Sequence, residues 1–469
     1  MEEYHGHNDF DEHRARHRAR EFERMLRRER YFFMDLQQVD EIFHYYLHSQ
    51  ELGKAQELLS YALHTYPSSS ELYYKQARLH AENGLFFQGV KSIEHALSYS
   101  PGYTEYLYYQ ADLLARLDRY QDAVHILEGI LATAEYPEEV LLQMGNVAQI
   151  CKREEESERF YRRSLSVNPR YEEALFELGY LLESMEKLEE VVSLLDTYLV
   201  NQPYAAVVWY HLGLTHRKLG QSEQALEAYD FALVIQEDFA SAHFQKGLLL
   251  LDLQRHQEAL PSFLQTSHLS PNDLHNLYHI AECFEQLELY RDAMRYYRKV
   301  AKLDPDYVDA WIGLGFCLER REKYFEAIHY YEKAFDLDPE NADLCLSLAI
   351  CEYKIDHHHS AYRYLERALG INPEDPGIWQ DWAQVLYDNH NFTGAITYLE
   401  EAIKCHPKVA VLYYHCAAYC YHSGMREESL VYLENALIMN FEKHEQLFQY
   451  DATLQHEPEV INLIEQYRP

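Results

Sequence analysis

Nine prolines keep one beat along the chain. Pro67, Pro101, Pro169, Pro203, Pro271, Pro305, Pro339, Pro373 and Pro407 are all separated by multiples of 34 residues. A single insertion or deletion between any two would destroy that phase. The intervening segments therefore have a fixed length, and the chain is an array of one repeated unit. The stretch LDPDYVDAWIGLGFCLERREKYFEAIHYYEKAFDLDP, from Leu303 to Pro339, opens and closes on the same tripeptide.

Small residues keep the same beat. One column reads Ala77, Ala111, Gly145, Gly179, Gly213, Gly247, Ala281, Gly315, Ala349, Ala383 and Ala417. A second, mostly alanine, runs from Ala55 through Gly89, Ser157 and Val191 to Ser429. Large apolar residues at helical spacing fill the flanks, as Trp311, Leu314, Leu318, Tyr324, Ile328, Tyr331 and Leu337 do in one unit. The pattern predicts two antiparallel helices per unit, each about 14 residues long. Their backbones approach to the short end of the usual ~8–10 Å range where small side chains meet. Proline cannot continue a helix interior but suits the boundary before the next helix. Asp304 and Asp338, just ahead of it, are the expected turn and capping residues.

Trp311-x-x-Leu314-Gly315-x-x-Leu318, then Ala327-x-x-x-Tyr331, then Pro339, resembles the tetratricopeptide repeat signature. From Leu36 to Lys443 the phase holds for twelve units, including those ending near Glu135, Glu237 and Phe441 that lack the proline. The resemblance, to cytoplasmic bacterial proteins built only of such repeats, implies an all-α, right-handed superhelical solenoid of about twelve 34-residue helix-turn-helix units. Its first helices are then expected to line a concave groove. The expected organisation is an Arg-rich N-terminal arm or capping helix over residues 1–35, twelve tandem units over 36–443 and a capping segment over 444–469. In that last segment Glu457-Pro458 opens a helix, with Val460, Ile461, Ile464 and Tyr467 on one face.

Charge separates the arm from the rest. The chain carries 77 Asp and Glu against 42 Lys and Arg, a formal charge of −35, which argues against broad attraction to nucleic acid or anionic membrane. The arm runs against that trend with Arg14, Arg16, Arg18, Arg20, Arg24, Arg27, Arg28 and Arg30. Two readings stand for it: a helix whose Phe22, Leu26 and Phe33 pack on the first repeat, or an anion-seeking arm that touches a phosphate-bearing or acidic partner or folds back on this protein's own acidic surface. Eight cysteines without paired spacing fit reduced thiols. With no signal-like apolar start and no run of about 18 apolar residues, they place the chain in the cytoplasm without membrane insertion.

In the groove that the resemblance implies, the fifth position of each first helix carries Tyr74, Tyr108, Phe176, Tyr210, Phe244, Tyr278 and Tyr414. A further column carries Tyr353, Tyr387 and Tyr421. Aromatic rings offer large contact area at low entropy cost, which suits a bound peptide. Polar candidates are Arg78, Arg116, Asn146, Arg217 and Lys218, with Glu282, Glu285 and Glu319 beyond. Two groove chemistries of the family fail by position. The Lys and Asn clamp of chaperone-binding members is broken at Asn146 by Leu142 and Glu177. The asparagine ladder of glycosyltransferase-linked members meets Lys75, Tyr109, Gln143, Glu177, His211, Gln245 and His279, and no asparagine.

Metal-like spacings also have a simpler reading. Cys416 and Cys420 fall at i, i+4 but in the apolar columns, as do Cys283 and Cys317, so they are expected in the core. No cofactor or metal is expected at the remaining pairs, His44 with His48 and His275 with His279, or at His357-His358-His359. The expected function is a non-enzymatic scaffold or adaptor for a protein or peptide partner carrying basic segments. Two alternatives remain: an enzyme that builds its site in the groove from Glu282, Glu285, Glu319 and His279, or a regulatory subunit of a larger complex.

Overall fold

The structure, a computed structural model, describes residues 12–27 and 33–468. The described chain is all-α, and its helices pair as the sequence predicts. Twelve pairs run from Leu36–His48 with Leu52–Thr65 to Ala410–His422 with Arg426–Met439. Second helices start 34 residues apart throughout, as at Tyr290, Tyr324 and His358. First helices do so in every pair but one, where Pro137 starts its helix one residue early with its missing N–H in the first turn. The chain forms two compact units, Met1–Ile235 and Gln236–Pro469, so the division falls at the end of the sixth repeat.

The proline beat is tied to the first helices by a recurring hydrogen bond. Trp209 and Trp311 donate Nε1–H to the carbonyls of Pro203 and Pro305 at 2.9 and 2.8 Å. Tyr73 and Tyr413 donate their hydroxyls to Pro67 and Pro407 at 3.2 and 3.1 Å. At Glu237, one of the places where the proline is missing, the bond survives, because the His243 ring lies 2.9 Å from the Glu237 carbonyl. The backbone carbonyl, present in any residue, makes the lock, and proline adds stiffness. Asp304 works locally, its Oδ1 accepting from the Asp306 N–H at 3.0 Å.

Four of the five glycines in the column have a specific neighbour, the residue 16 positions later in the second helix, while Gly179, with Leu195 at that offset, faces open space. A Cβ at Gly145, Gly213, Gly247 or Gly315 would lie 2.2, 2.5, 2.7 or 2.4 Å from the ring of Tyr161, Tyr229, Phe263 or Tyr331. Five alanines of the same column, Ala77, Ala111, Ala349, Ala383 and Ala417, have Ile93, Leu127, Leu365, Leu399 and Leu433 at that offset. Ala281 is paired by offset with an aromatic, Tyr297, but that ring instead presses on Gly313 of the next repeat, 2.4 Å from where its Cβ would be. Packing at interior density leaves room for either a Cβ or a ring, not both.

Every repeat turns from its first helix to its second through one residue at positive φ. Three of these are glycine, namely Gly84, Gly220 and Gly424. The other nine are Gln50, Asp118, Lys152, Glu186, Gln254, Glu288, Glu322, Asp356 and His390, with φ from 57° to 63°. All nine are solvent-exposed.

Both ends are covered. The helix Glu12–Arg27 lies on the first repeat with Ala15, Ala19, Phe22 and Met25 buried. Phe22 meets Tyr61 edge-on at 5.9 Å, and the Tyr46 hydroxyl donates to the Ala19 carbonyl. The expectation that Leu26 and Phe33 also pack holds only in part: Leu26 is 37% exposed, and Phe33, 71% exposed, keeps an edge-on contact with Tyr66 at 6.3 Å, while small alanines let the helix sit close. Arg28 and Arg30 lie outside the described residues. At the other end Pro458–Gln466 is helical, Val460 is buried and the Tyr467 hydroxyl donates to Glu434 at 2.6 Å.

Candidate functional site

In the first unit, the first-helix faces carry aromatic rings with charged groups between them. Tyr74 is half-buried, stacked on Tyr106 at 5.0 Å and edge-on to Tyr109 at 5.3 Å. Burial pushes the Tyr109 hydroxyl up to about 12, while the nearby charges of Arg78 and Arg116 oppose the rise. Tyr108, Phe176 and Tyr210 are also half-buried, and Phe176 lies 4.7 Å from the His211 ring.

Ion pairs cross from one repeat to the next. The ammonium of Lys75 is buried, 2.6 Å from Asp40 and 2.9 Å from Glu71. Bonds from His44 and Lys75 hold the Asp40 carboxyl well below its usual range against the opposing effect of burial. Lys218 reaches Glu183 at 2.7 Å, whereas Arg116 bonds Asp112 of its own helix at 2.8 Å. Arg78 and Arg217 are half-buried on these faces.

The second unit repeats the theme. Phe244 and Tyr278 are half-buried, with Phe244 5.8 Å from Phe263 and Tyr278 5.6 Å from Tyr307. His279 stacks on Phe263 and places Nδ1 2.9 Å from Glu282. Tyr387 is half-buried and stacked on Tyr419 at 3.9 Å.

Other candidates face inward. Tyr353 is 7% exposed beneath Trp382, and Tyr414 is fully buried with its hydroxyl donating to the Asn440 carbonyl at 2.9 Å. Tyr421 is likewise buried. At the end of the array the helix Gln446–Tyr450 covers what would be open face in an internal repeat, with Tyr450 stacked on His415 at 3.9 Å. Burial lowers the His415 imidazole to about 3, so it is neutral at physiological pH.

Three polar candidates turn out to serve the packed rings. The Tyr161 hydroxyl lies 2.7 Å from Asn146 Oδ1 and 2.9 Å from Gln149 Oε1. Tyr297 donates to Glu285 at 2.9 Å and Tyr331 to Glu319 at 2.7 Å. Gln149, Glu285 and Glu319 occupy the same helix position, 12 residues before the tyrosine. Phe263 has no hydroxyl, and leucine, Leu251, stands there instead. In these three repeats a polar residue supplies the acceptor that a buried O–H needs, whereas Arg217 stands at that position before Tyr229, whose buried hydroxyl has no partner among the described residues. The sequence shows this only when the two helices are read against each other.

Burial raises the Glu285 and Glu319 carboxyls, opposed in part by the tyrosine bonds. A carboxyl whose folded pKa lies above its unfolded value contributes stability that is full below the unfolded value and lost as pH rises through the folded one. Glutamine, already in this role at Gln149, keeps the acceptor without the charge. Glu285→Gln with Glu319→Gln is therefore expected to raise the guanidinium midpoint at neutral pH, and the gain should vanish near about pH 4, where the unfolded carboxyls are half protonated. An equal gain at both pH values would assign the effect to packing.

Among the described residues no helix is long and apolar enough to cross a membrane. Cys283, Cys317, Cys416 and Cys420 are buried, as expected of core residues.

Family models described as tetratricopeptide repeat match residues 74–139, 206–239, 274–307 and 308–341. The last three coincide with the sixth, eighth and ninth units of the 34-residue beat. The chain is a tetratricopeptide repeat protein. Proteins of this kind generally act as protein-binding scaffolds. No curated protein matches this repeat protein. Among solved structures it is similar to a tetratricopeptide repeat protein from Parabacteroides merdae, at 18% identity over 51% of this chain and 94% of that one, with a TM-score of 0.41. Yeast Tom70 is similar at 15% identity over 91% and 98%, TM-score 0.36. YrrB, described as a repeat protein with an unusual peptide-binding site, is similar at 19% identity over 38% and 93%, TM-score 0.35.

Proposed function

We propose that this repeat protein is a non-catalytic scaffold whose first-helix faces hold extended segments of partner proteins. The observation that carries the reading is the fifth-position column. Tyr74, Tyr108, Phe176 and Tyr210 in one unit, and Phe244 and Tyr278 in the other, are each half-buried aromatics at multiples of 34 residues, interrupted by the buried Leu142 between Tyr108 and Phe176. Rings already held by packing offer contact area with little further entropy loss, which is the economy that peptide recognition needs. Arg78, Arg217 and Glu282 lie on the same faces and supply register, while the formal charge of −35 favours segments with basic residues. Tyr387 extends the surface; Tyr353 and Tyr414 support it from beneath. The eight cysteines are free thiols, which suits a reducing cytoplasm.

The catalytic alternative is weaker because its groups are already engaged. Glu285 and Glu319 accept from tyrosines of their own repeats, and His279 is paired with Glu282. Random peptides displayed on phage and selected on the full chain test the scaffold reading. Selected peptides are expected to bind Tyr108→Ser with Tyr210→Ser about tenfold more weakly, the scale of losing anchoring aromatics. Equal binding to the two proteins would move recognition off this column.

A further inference from the structure

The helix Glu12–Arg27 uses its arginines in two ways. It holds six arginines, three glutamates and no lysine. Along one flank of its buried face Arg14 and Arg18, one turn apart, both reach Glu41, Arg14 at 3.3 Å. One carboxylate is thus gripped by two guanidinium groups. At about 100° per residue, Arg16, Arg20, Arg24 and Arg27 fall in a stripe about 17 Å long, centred about 130° round the helix from Ala15, Ala19 and Phe22. All four are exposed, and they make no ion pair among the described residues. Like charges at i, i+4 weaken a helix, so the stripe adds nothing to the stability of the cap it rides on. The capping role belongs to the buried face and to Arg14, Arg18 and Glu23, whose carboxylate takes Lys54 at 2.8 Å.

We propose that the outer stripe is a docking surface for a short acidic segment of a partner protein. Each carboxylate would sit between arginines one turn apart, as Glu41 sits between Arg14 and Arg18. Guanidinium forks match carboxylates in geometry as well as charge, which lysines do not. The charge of the whole molecule selects the kind of anion. A nucleic acid or anionic bilayer reaching past the stripe meets the acidic remainder of a chain at −35, and a second copy brings another −35. A segment two or three helical turns long is enough to span the described part of the stripe. This surface is separate from the first-helix faces, so either proposal can fail alone.

Fluorescence anisotropy on the full chain tests it, with a labelled alanine-based helical peptide bearing four glutamates at i, i+4 spacing. The peptide is expected to bind at about 50 mM salt and to weaken at about 300 mM. Replacing Arg16, Arg20, Arg24 and Arg27 by glutamine should weaken binding about tenfold or more with the melting temperature unchanged. The lysine counterpart, which keeps the charge and removes the fork, should fall between. Arg14→Gln with Arg18→Gln should do the reverse, lowering the melting temperature and leaving the peptide bound. Unchanged binding by the glutamine variant, or no binding by the native chain, overturns the proposal. So does stronger, stripe-dependent binding of a twelve-nucleotide single strand or of phosphatidylserine vesicles, or a stripe-dependent dimer in sedimentation equilibrium.

Discussion

Gly247→Leu will lower the free energy of unfolding by about 3 kcal/mol, the upper end of what overpacking costs. Even the Cβ would lie 2.7 Å from the Phe263 ring, and leucine adds three carbons behind it. The sharper form of the test uses alanine. Gly247→Ala gains helix propensity of about 1 kcal/mol but keeps the clash, and Phe263→Leu alone leaves a void. Together they recreate the pairing found at Ala349 with Leu365, Ala383 with Leu399 and Ala417 with Leu433. The double variant should therefore be more stable than the sum of the two single changes predicts, by about 1–2 kcal/mol in a double-mutant cycle. Phe263 suits this test because it has no hydroxyl whose partner would be stranded. Strict additivity, read from guanidinium denaturation, would show that ring and glycine are not coupled.

Replacing the nine non-glycine residues at the helix-to-helix turns by glycine should have the opposite sign. An L-residue in the left-handed region costs roughly 1–2 kcal/mol, and glycine gives back part of that through its greater freedom in the unfolded chain. A net gain of about 0.5 kcal/mol per site is expected. The sites lie one per repeat with exposed side chains, so the effects should add to about 4–5 kcal/mol. Gly84, Gly220 and Gly424 show that the turn accepts the residue. A midpoint that stays level or falls would mean that unfolded-state entropy outweighs the relief of strain.

These two columns also explain how legible the fold was. Prolines and small residues announce themselves because one residue type, or two, recurs in phase. The left-handed turn recurs just as strictly, but Gln50, Lys152, Glu186 and His390 share no side-chain property that would mark a column. Backbone geometry alone unites them. The candidate site divides in the same way. Tyr74, Tyr108, Phe176, Tyr210, Phe244 and Tyr278 lie where the repeat register puts them, half exposed on first helices. Tyr353 and Tyr414 occupy equally regular positions and are buried, one by Trp382 and the other beside the C-terminal segment that ends the array. Burial at an end depends on the segment packed against the last repeat, which periodicity does not describe.

The sequence by itself determined the period, the pairing of helices and the sites of closest approach, because each rests on a local rule of helix geometry repeated in register. Tertiary structure alone decided which polar residues remain available to a partner. Asn146, Glu285 and Glu319 were drawn to buried tyrosine hydroxyls, and Arg14 and Arg18 to Glu41, while Arg16, Arg20, Arg24 and Arg27 were turned outward. The physical reason is that a buried donor must find an acceptor and a charge its counter-charge across the gap between helices. That gap exists only after the chain has folded.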